Sequence, residues 1–321
     1  MWKRYVGLGL ALGVALLLSV MVGAVQVPAT AVFDALRGHG PEQTVLIVNQ
    51  IRLPRAVVGA LVGAGLAVAG AVMQAATRNP LAAPSVAGVT AGATLVVTLL
   101  MVAGIITGPV VAFGAFVGAA LGGGVVFALA SGKGATPTRL ALAGIAVSAL
   151  LSAVGTGIVM TREANLTLMI AWQAGGLGGK IWSHAAFLWP WVLVGLVAAW
   201  LLSPYLDVMR LGDEVSVGLG VNLGYARAGA LLVTVILAGG AVAVAGPIGF
   251  VGLIIPHIAR SFFPHRHRLL LPACALGGAL LLTLADTLGR FVGGDIEIPV
   301  GILTALLGGP FFVYLVRREG K

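Results

Sequence analysis

Polar residues are so sparse in this chain that its pattern is one of long apolar runs cut by short punctuation, with no steady alternation of two faces. The runs fall at about residues 5–25, 56–76, 86–106, 109–130, 140–160, 183–203, 228–246, 248–263, 269–289 and 299–316. Most approach the roughly 20 residues a helix needs to cross a hydrocarbon layer roughly 30 Å thick. The pattern therefore predicts an all-α, polytopic membrane protein with about ten transmembrane helices. The stretch 228–263 is almost continuous, interrupted only by Gly246-Pro247-Ile248-Gly249, and hydropathy alone reads it as one crossing or as two. Its 36 residues supply only about 54 Å of helix. If there are two crossings, one is expected to be short or broken at the glycine-proline turn.

Charge decides between the two counts. With one crossing, the loop carrying Arg260, Arg266 and Arg268 and the tail carrying Arg317, Arg318 and Lys321 would both face outward, against the bias of basic residues toward the cytoplasm. With ten crossings the inner set is Lys3, Arg4, Arg78, Lys133, Arg139, Arg210, Arg227, Arg260, Arg266, Arg268, Arg317, Arg318 and Lys321. Only Arg37, Arg52, Arg55, Arg162, Lys180 and Arg290 then face outward. Both termini are expected in the cytoplasm. Residues 5–25 exceed the 7 to 15 apolar residues usual in a signal peptide, so they are read as a retained first span.

Composition sharpens the picture. Of the residues, 59% are hydrophobic and 9% charged, against about 25% charged in an ordinary soluble domain. Glycine, at 48 residues, lets helix backbones approach closely where lipid supplies no hydrophobic drive between helices, which implies a compact bundle. The net charge of +9 is scattered through short loops, without the aromatic-interleaved patch of a nucleic-acid binder. Cys274 lies alone in an apolar run, so it says nothing about disulfides, and no metal or redox centre is expected. The stretch 161–182, too polar to span, is expected to form a short helix at the outer mouth. The inner loop of about 204–227, with Asp207, Arg210, Asp213, Glu214 and Arg227, is the longest cytoplasmic connection and offers a handle to a soluble partner.

Catalytic groups are hard to find. His39, His184, His257, His265 and His267 show no metal-binding spacing and are read as solvated or interfacial. Ser131-Gly132-Lys133-Gly134 lacks the earlier glycine and the following Ser or Thr of a phosphate loop, so the chain is not expected to hydrolyse ATP. Asp286 is the main ionisable residue at membrane depth. It stands four residues before Arg290, a spacing that places both on one helix face and predicts an internal ion pair near the outer end of the ninth span. A proton-coupled carrier is thereby the weaker alternative.

Several motifs, in order along nearly the whole chain, resemble those of the permeases of iron-siderophore, haem and vitamin B12 importers driven by ATP-binding cassettes. They are Ile51-Arg52-Leu53-Pro54-Arg55, Gly70-Ala71-Val72-Met73-Gln74, Arg78-Asn79-Pro80-Leu81-Ala82-Ala83-Pro84, Leu142-Ala143-Gly144-Ile145-Ala146, Leu211-Gly212-Asp213-Glu214, Leu219-Gly220-Val221-Asn222, the run Gly249 to Arg260, Leu284-Ala285-Asp286 and Glu297-Ile298-Pro299-Val300-Gly301. The resemblance implies a type II importer fold: two permease copies of ten spans each, two cytoplasmic ATPase subunits that hold the ATP and magnesium, and an extracytoplasmic substrate-binding protein, all at a bacterial cytoplasmic membrane. It implies one permease domain over 1–321 that binds no cofactor or metal of its own. Residue by residue, it assigns Asn79, Leu81, Thr136 and Thr138 to the inner gate. Leu211, Gly212, Asp213, Glu214, Leu219 and Gly220 fall to ATPase coupling, and Arg52, Arg55 and Arg290 to docking of the binding protein. Ala83-Pro84-Ser85 and Trp172-Gln173-Ala174-Gly175-Gly176 are more similar to ferric-siderophore permeases than to haem or cobalamin ones. The pathway implied runs around the fifth and tenth spans and works by alternating access, with ATP closing the ATPase pair.

Overall fold

The computed structural model describes residues 2–23, 25–106, 108–131, 136–160, 166–294 and 297–319. Lys133, Arg162, Lys321 and the Thr161 to Asn165 part of the outer stretch, all used in the reading above, lie outside them. Among the described residues the fold is helical throughout. Seven helices are long and apolar enough to cross a membrane and three more are apolar but shorter. The long ones are α1 (Trp2–Met21), α3 (Glu42–Thr77), α5 (Gly108–Ser131), α6 (Pro137–Met160), α8 (Trp182–Met209), α10 (Leu223–Ala245) and α12 (His267–Gly293). The shorter ones are α4 (Val89–Val102), α11 (Val251–Phe262) and the apolar part of α13 (Val300–Glu319). Outside these ten lie α2 (Ala29–Leu36), α7 (Leu166–Gln173) and α9 (Asp213–Gly218).

The second span, α3, departs furthest from its expected length. The second span starts at Glu42, well before residue 56, because the chain stays helical through the polar Asn49, Gln50 and Arg52 by widening into a π-helical turn over Ile47–Arg52. Asn49 uses that turn on both sides: its Nδ2 donates to the Ala35 carbonyl at 2.8 Å, and its own carbonyl accepts from Trp182 Nε1 at 2.8 Å.

α3 is the hub of the bundle, touched by α1, α8, α10, α11 and α12. Two of its contacts are backbone to backbone. A Cβ at Gly63 would lie 2.1 Å from the Gly278 carbonyl oxygen on α12, and one at Gly70 would lie 1.9 Å from that of Gly252 on α11. Small residues permit this close approach, which supplies the dispersion contact that lipid cannot.

The expected break in 228–263 is present. After α10 the chain leaves helical geometry at Gly246 and resumes only at Val251. The 12 residues of α11 give about 18 Å of helix, roughly half a crossing. Phe250, at the start of α11, holds φ +65 and packs its ring on Gly308 of α13. A bulky residue at positive φ persists only where its surroundings over-determine it. The start of α4 mirrors this break, because the chain from Asn79 to Gly88 is non-helical apart from one 3₁₀ turn, Pro84–Ala87. Pro84 Cδ lies 3.1 Å from the point that a Cβ on Gly252 would occupy, so the two broken crossings meet beside the centre of α3. Bare backbone at this depth is tolerated because protein encloses it.

Candidate functional site

Both ends of the bundle carry the polar chemistry, and different expected residues lie at each. At one end the C-terminus of α1 presents carbonyls without helical partners. Arg52 Nη1 donates to Val20 O and Met21 O at 2.9 Å each, and its Nη2 donates to Val25 O. Arg290 Nη1 donates to Val22 O at 2.7 Å and Nη2 to Ser19 Oγ at 2.8 Å. Cations belong at this negative end of the helix dipole. The Asp286–Arg290 pair expected from spacing is present, Nε to Oδ2 at 3.2 Å. The sequence reading missed a further partner: Arg55 grips Asp286 through Nε and Nη2, at 3.0 and 2.9 Å, and reaches Glu297 through Nη1 at 2.8 Å.

Arg52, Arg55 and Arg290, expected as exposed docking residues, are thus brought together but buried, at 7, 8 and 6% exposure. Three guanidiniums meet two carboxylates, and the end of α1 supplies the remaining negative potential. Burial follows from that arrangement, since charges are kept from water only where paired and hydrogen-bonded. The exposed member is Glu297. It borders a cavity of about 250 Å3 with Arg55, Trp172 and Lys180, and burial pushes the Lys180 ammonium below the usual lysine range. The stretch 166–182 closes this mouth as expected, with Gly176 N donating to Ala245 O at 2.8 Å and Gly301 N to Gly175 O at 3.0 Å.

At the other end α9 stands out from the bundle as a short hook. Gly212 precedes it at φ +106 and Gly220 follows it at φ +81, backbone that favours glycine. The buried Ser216 ties its base, Oγ donating to Val208 O at 3.0 Å and to Gly212 O at 2.6 Å. Asn222 caps α10, its Oδ1 accepting from Tyr225 N at 3.2 Å. The outer side of the hook is apolar and exposed, with Leu211, Val215, Val217 and Leu219 between 48 and 61% accessible and Glu214 beside them. Asp213 faces inward and joins two elements: Arg227 Nη2 at 2.7 Å and Arg78 Nη2 at 3.1 Å.

Arg78 ends α3 with φ +48, and the next turn carries two of the gate candidates. Asn79 Oδ1 accepts from Leu81 N at 2.9 Å. Thr136 and Thr138 lie at the start of α6, where Thr136 Oγ1 accepts from Arg139 N at 3.3 Å and Thr138 is exposed. Among the described residues no hydrogen bond joins the two pairs. The sequence spacing held an unread signal nearby. Thr90, Thr94 and Thr98 on α4, and Ser148, Ser152 and Thr156 on α6, recur every fourth residue and line one cavity of about 290 Å3 together with Gln173 and Pro247.

One histidine departs from the solvated or interfacial reading. His267 is fully buried, its N–H donating to Asp207 Oδ1 at 2.9 Å and its Nδ1 2.6 Å from the same oxygen. His257 is half-buried, edge-on to Phe311.

Comparison with known proteins agrees with this architecture. The model of the FecCD transport family matches residues 11–318. An Fe(3+)-citrate import system permease protein of Bacillus subtilis is 43% identical over 204 residues, covering 64% of this chain and 61% of that protein. A hemin transport system permease protein of Yersinia pestis is 42% identical over 211 residues, covering 64% of this chain and 62% of that one. The matched part thus spans less than two thirds of the length of these relatives. A solved structure of a metal-chelate type ABC transporter in an inward-facing conformation superposes with TM-score 0.85 at 32% identity, covering 98% of both chains.

Proposed function

The chain belongs to the FecCD transport family, and from that membership we propose that it is the membrane-spanning permease subunit of an ATP-binding-cassette importer for a ferric-siderophore type iron chelate. The observation that carries the proposal is the apolar hook α9, which offers a soluble partner an exposed grip yet is tied through Asp213 to the end of α3. In this reading two copies of the chain, as one permease domain each, enclose the pathway in a bacterial cytoplasmic membrane, with both termini inside. Two ATPase subunits hold ATP and magnesium and seat α9 in a cleft. A binding protein delivers substrate to the opposite end, where the buried Arg52, Arg55 and Arg290 fix the shape of the docking mouth while Glu297 is exposed to the partner.

Closure of the ATPase pair moves α9, and Asp213 carries that motion to Arg78 and the gate turn of Asn79 and Leu81, opposite Thr136 and Thr138. Substrate then passes along α6 and α13, and the uncharged hydroxyls of α4 and α6 give an oxygen-rich chelate weak, exchangeable hydrogen bonds. The similarity to a hemin permease supports haem as the second reading.

The test is reconstitution in proteoliposomes with the ATPase and binding protein. The chain alone is expected to be a dimer without ATP turnover, and uptake in the complete system is expected to follow ATP and to prefer ferric-siderophore-loaded over hemin-loaded binding protein. Uptake driven by a proton gradient without ATP would mark an ion-coupled carrier and sink the proposal.

A further inference from the structure

At the end of the bundle that carries α9, but outside the hook itself, the last turn of α3 and the ends of α8, α11 and α12 enclose a cavity of about 280 Å3. Arg78, Arg210, Arg260, His265, His267 and the buried Gln74 line it. The acids nearby are already engaged. Asp207 is taken by His267 and Asp213 by Arg78 and Arg227, so four guanidiniums meet two carboxylates.

The two arginines left over donate only to neutral acceptors, although Asp207 lies close enough to Arg210 for the two charges to interact. Arg210 Nη1 donates to His265 O at 2.9 Å, and Arg260 Nη1 donates to Gln74 Oε1 at 2.6 Å. Gln74 is itself oriented by Gly252, its Nε2 donating to that carbonyl at 3.2 Å. A buried amide thus aims a guanidinium into a cavity without giving it a counter-charge. Each guanidinium has further N–H donors, in a fork that suits phosphate oxygens. The volume lies at the lower edge of the roughly 300 to 1,000 Å3 of pockets that enclose drug-sized ligands, and with this cationic lining it suits a small oxyanion. Basic pockets between helices at a membrane surface bind phospholipid headgroups by this chemistry.

We propose that the cavity between α3, α8, α11 and α12 is a phosphate-oxyanion site, held chiefly by Arg210 and Arg260 and filled by the headgroup of an anionic phospholipid or by a free phosphate. The site is independent of which substrate the chain transports.

The test uses the full chain, purified alone and stripped of lipid, with its melting temperature followed in two arms. One adds inorganic phosphate against chloride at fixed ionic strength, and the other compares nanodiscs of phosphatidylcholine with and without phosphatidylglycerol. A saturable rise is expected in at least one arm: with phosphatidylglycerol alone the occupant is lipid, and with phosphate as well the site accepts the free anion. Arg210→Gln, and the Arg210→Gln/Arg260→Gln pair, should weaken the apparent affinity about tenfold or more, the worth of one charge-assisted hydrogen bond. Arg268→Gln, removing a cation stacked on Trp200 at the same end, should leave it unchanged. No saturable rise in either arm, or equal weakening by Arg268→Gln, overturns the proposal. Should the double variant fail to fold, Arg210→Gln on the exposed rim decides alone.

Discussion

Arg55 holds two carboxylates at once, and of the two only Glu297 reaches solvent. Removing one partner of such a buried set leaves uncompensated charge at a cost of about 3–5 kcal/mol. Asp286→Asn should therefore lower both the melting temperature in detergent and the abundance in membranes. Adding Arg55→Gln should recover part of the loss, because the surplus cation is gone. A single variant as stable as the parent would show the network to be dispensable. Arg78 is the opposite case. Its pair with Asp213 is about one third exposed on each side, so it contributes about 0.2–1 kcal/mol at most. Arg78→Ala should fold and assemble normally yet lower the substrate moved per ATP hydrolysed, and Arg78→Lys should restore that ratio. Unchanged stoichiometry in the alanine variant would remove Arg78 from the coupling path. Of these contacts the sequence exposed only Asp286 with Arg290, four residues apart. Arg55 lies 231 positions from Asp286, a separation that no local pattern encodes.

Helices in this bundle are held by what they lack. Gly70→Ala would drive a methyl into the Gly252 backbone at 1.9 Å, where no side chain can swing away. The cost should reach the upper part of the roughly 1–3 kcal/mol typical of overpacking, or exceed it. Gly124 on α5 has nothing within 4 Å of the same position, and alanine there should be neutral or stabilising by up to about 1 kcal/mol. Equal melting temperatures for the two variants would contradict this account of the α3–α11 contact. Gly220 separates strain from space. Its Cβ position is open but its φ is +81, so Gly220→Val should cost about 1–2 kcal/mol through backbone alone. It should leave membrane insertion intact while lowering substrate-stimulated ATP turnover with the partner subunit, and full turnover would refute the role of the hook. Hydropathy found each apolar helix, but it misplaced the start of α3, because Asn49 and Arg52 lower the apolar signal while finding hydrogen-bond partners on neighbouring elements. The hydroxyl ladders of α4 and α6 were legible in spacing, but their facing each other depends on packing that spacing does not give.

Across the whole molecule, burial ranks the helices. The spanning windows of α3 and α10 are each 78% buried, whereas those of α1 and α6 are 17% buried, which puts the former at the centre and leaves the latter for lipid or a second copy. The charge bookkeeping that chose ten crossings is consistent with the observed ends. Arg4, Arg78, Arg210, Arg227 and Arg260 make contacts at the end with α9, and Arg52, Arg55 and Arg290 at the other. The sequence conveyed the break after α10 but not the second one ahead of α4, nor that the two lean on each other beside α3. That arrangement has a consequence for biosynthesis. A segment with bare peptide groups and half the needed helix cannot leave a protein-conducting channel sideways into lipid, since each unsatisfied group in hydrocarbon costs on the order of several kcal/mol. Residues 246–262 therefore insert against α3, made some 170 residues earlier, which already offers Gly70 as a seat. The break ahead of α4 is the one that has to wait, because Pro84 is made some 170 residues before the Gly252 it packs against, and until then its bare peptide groups need shelter from lipid.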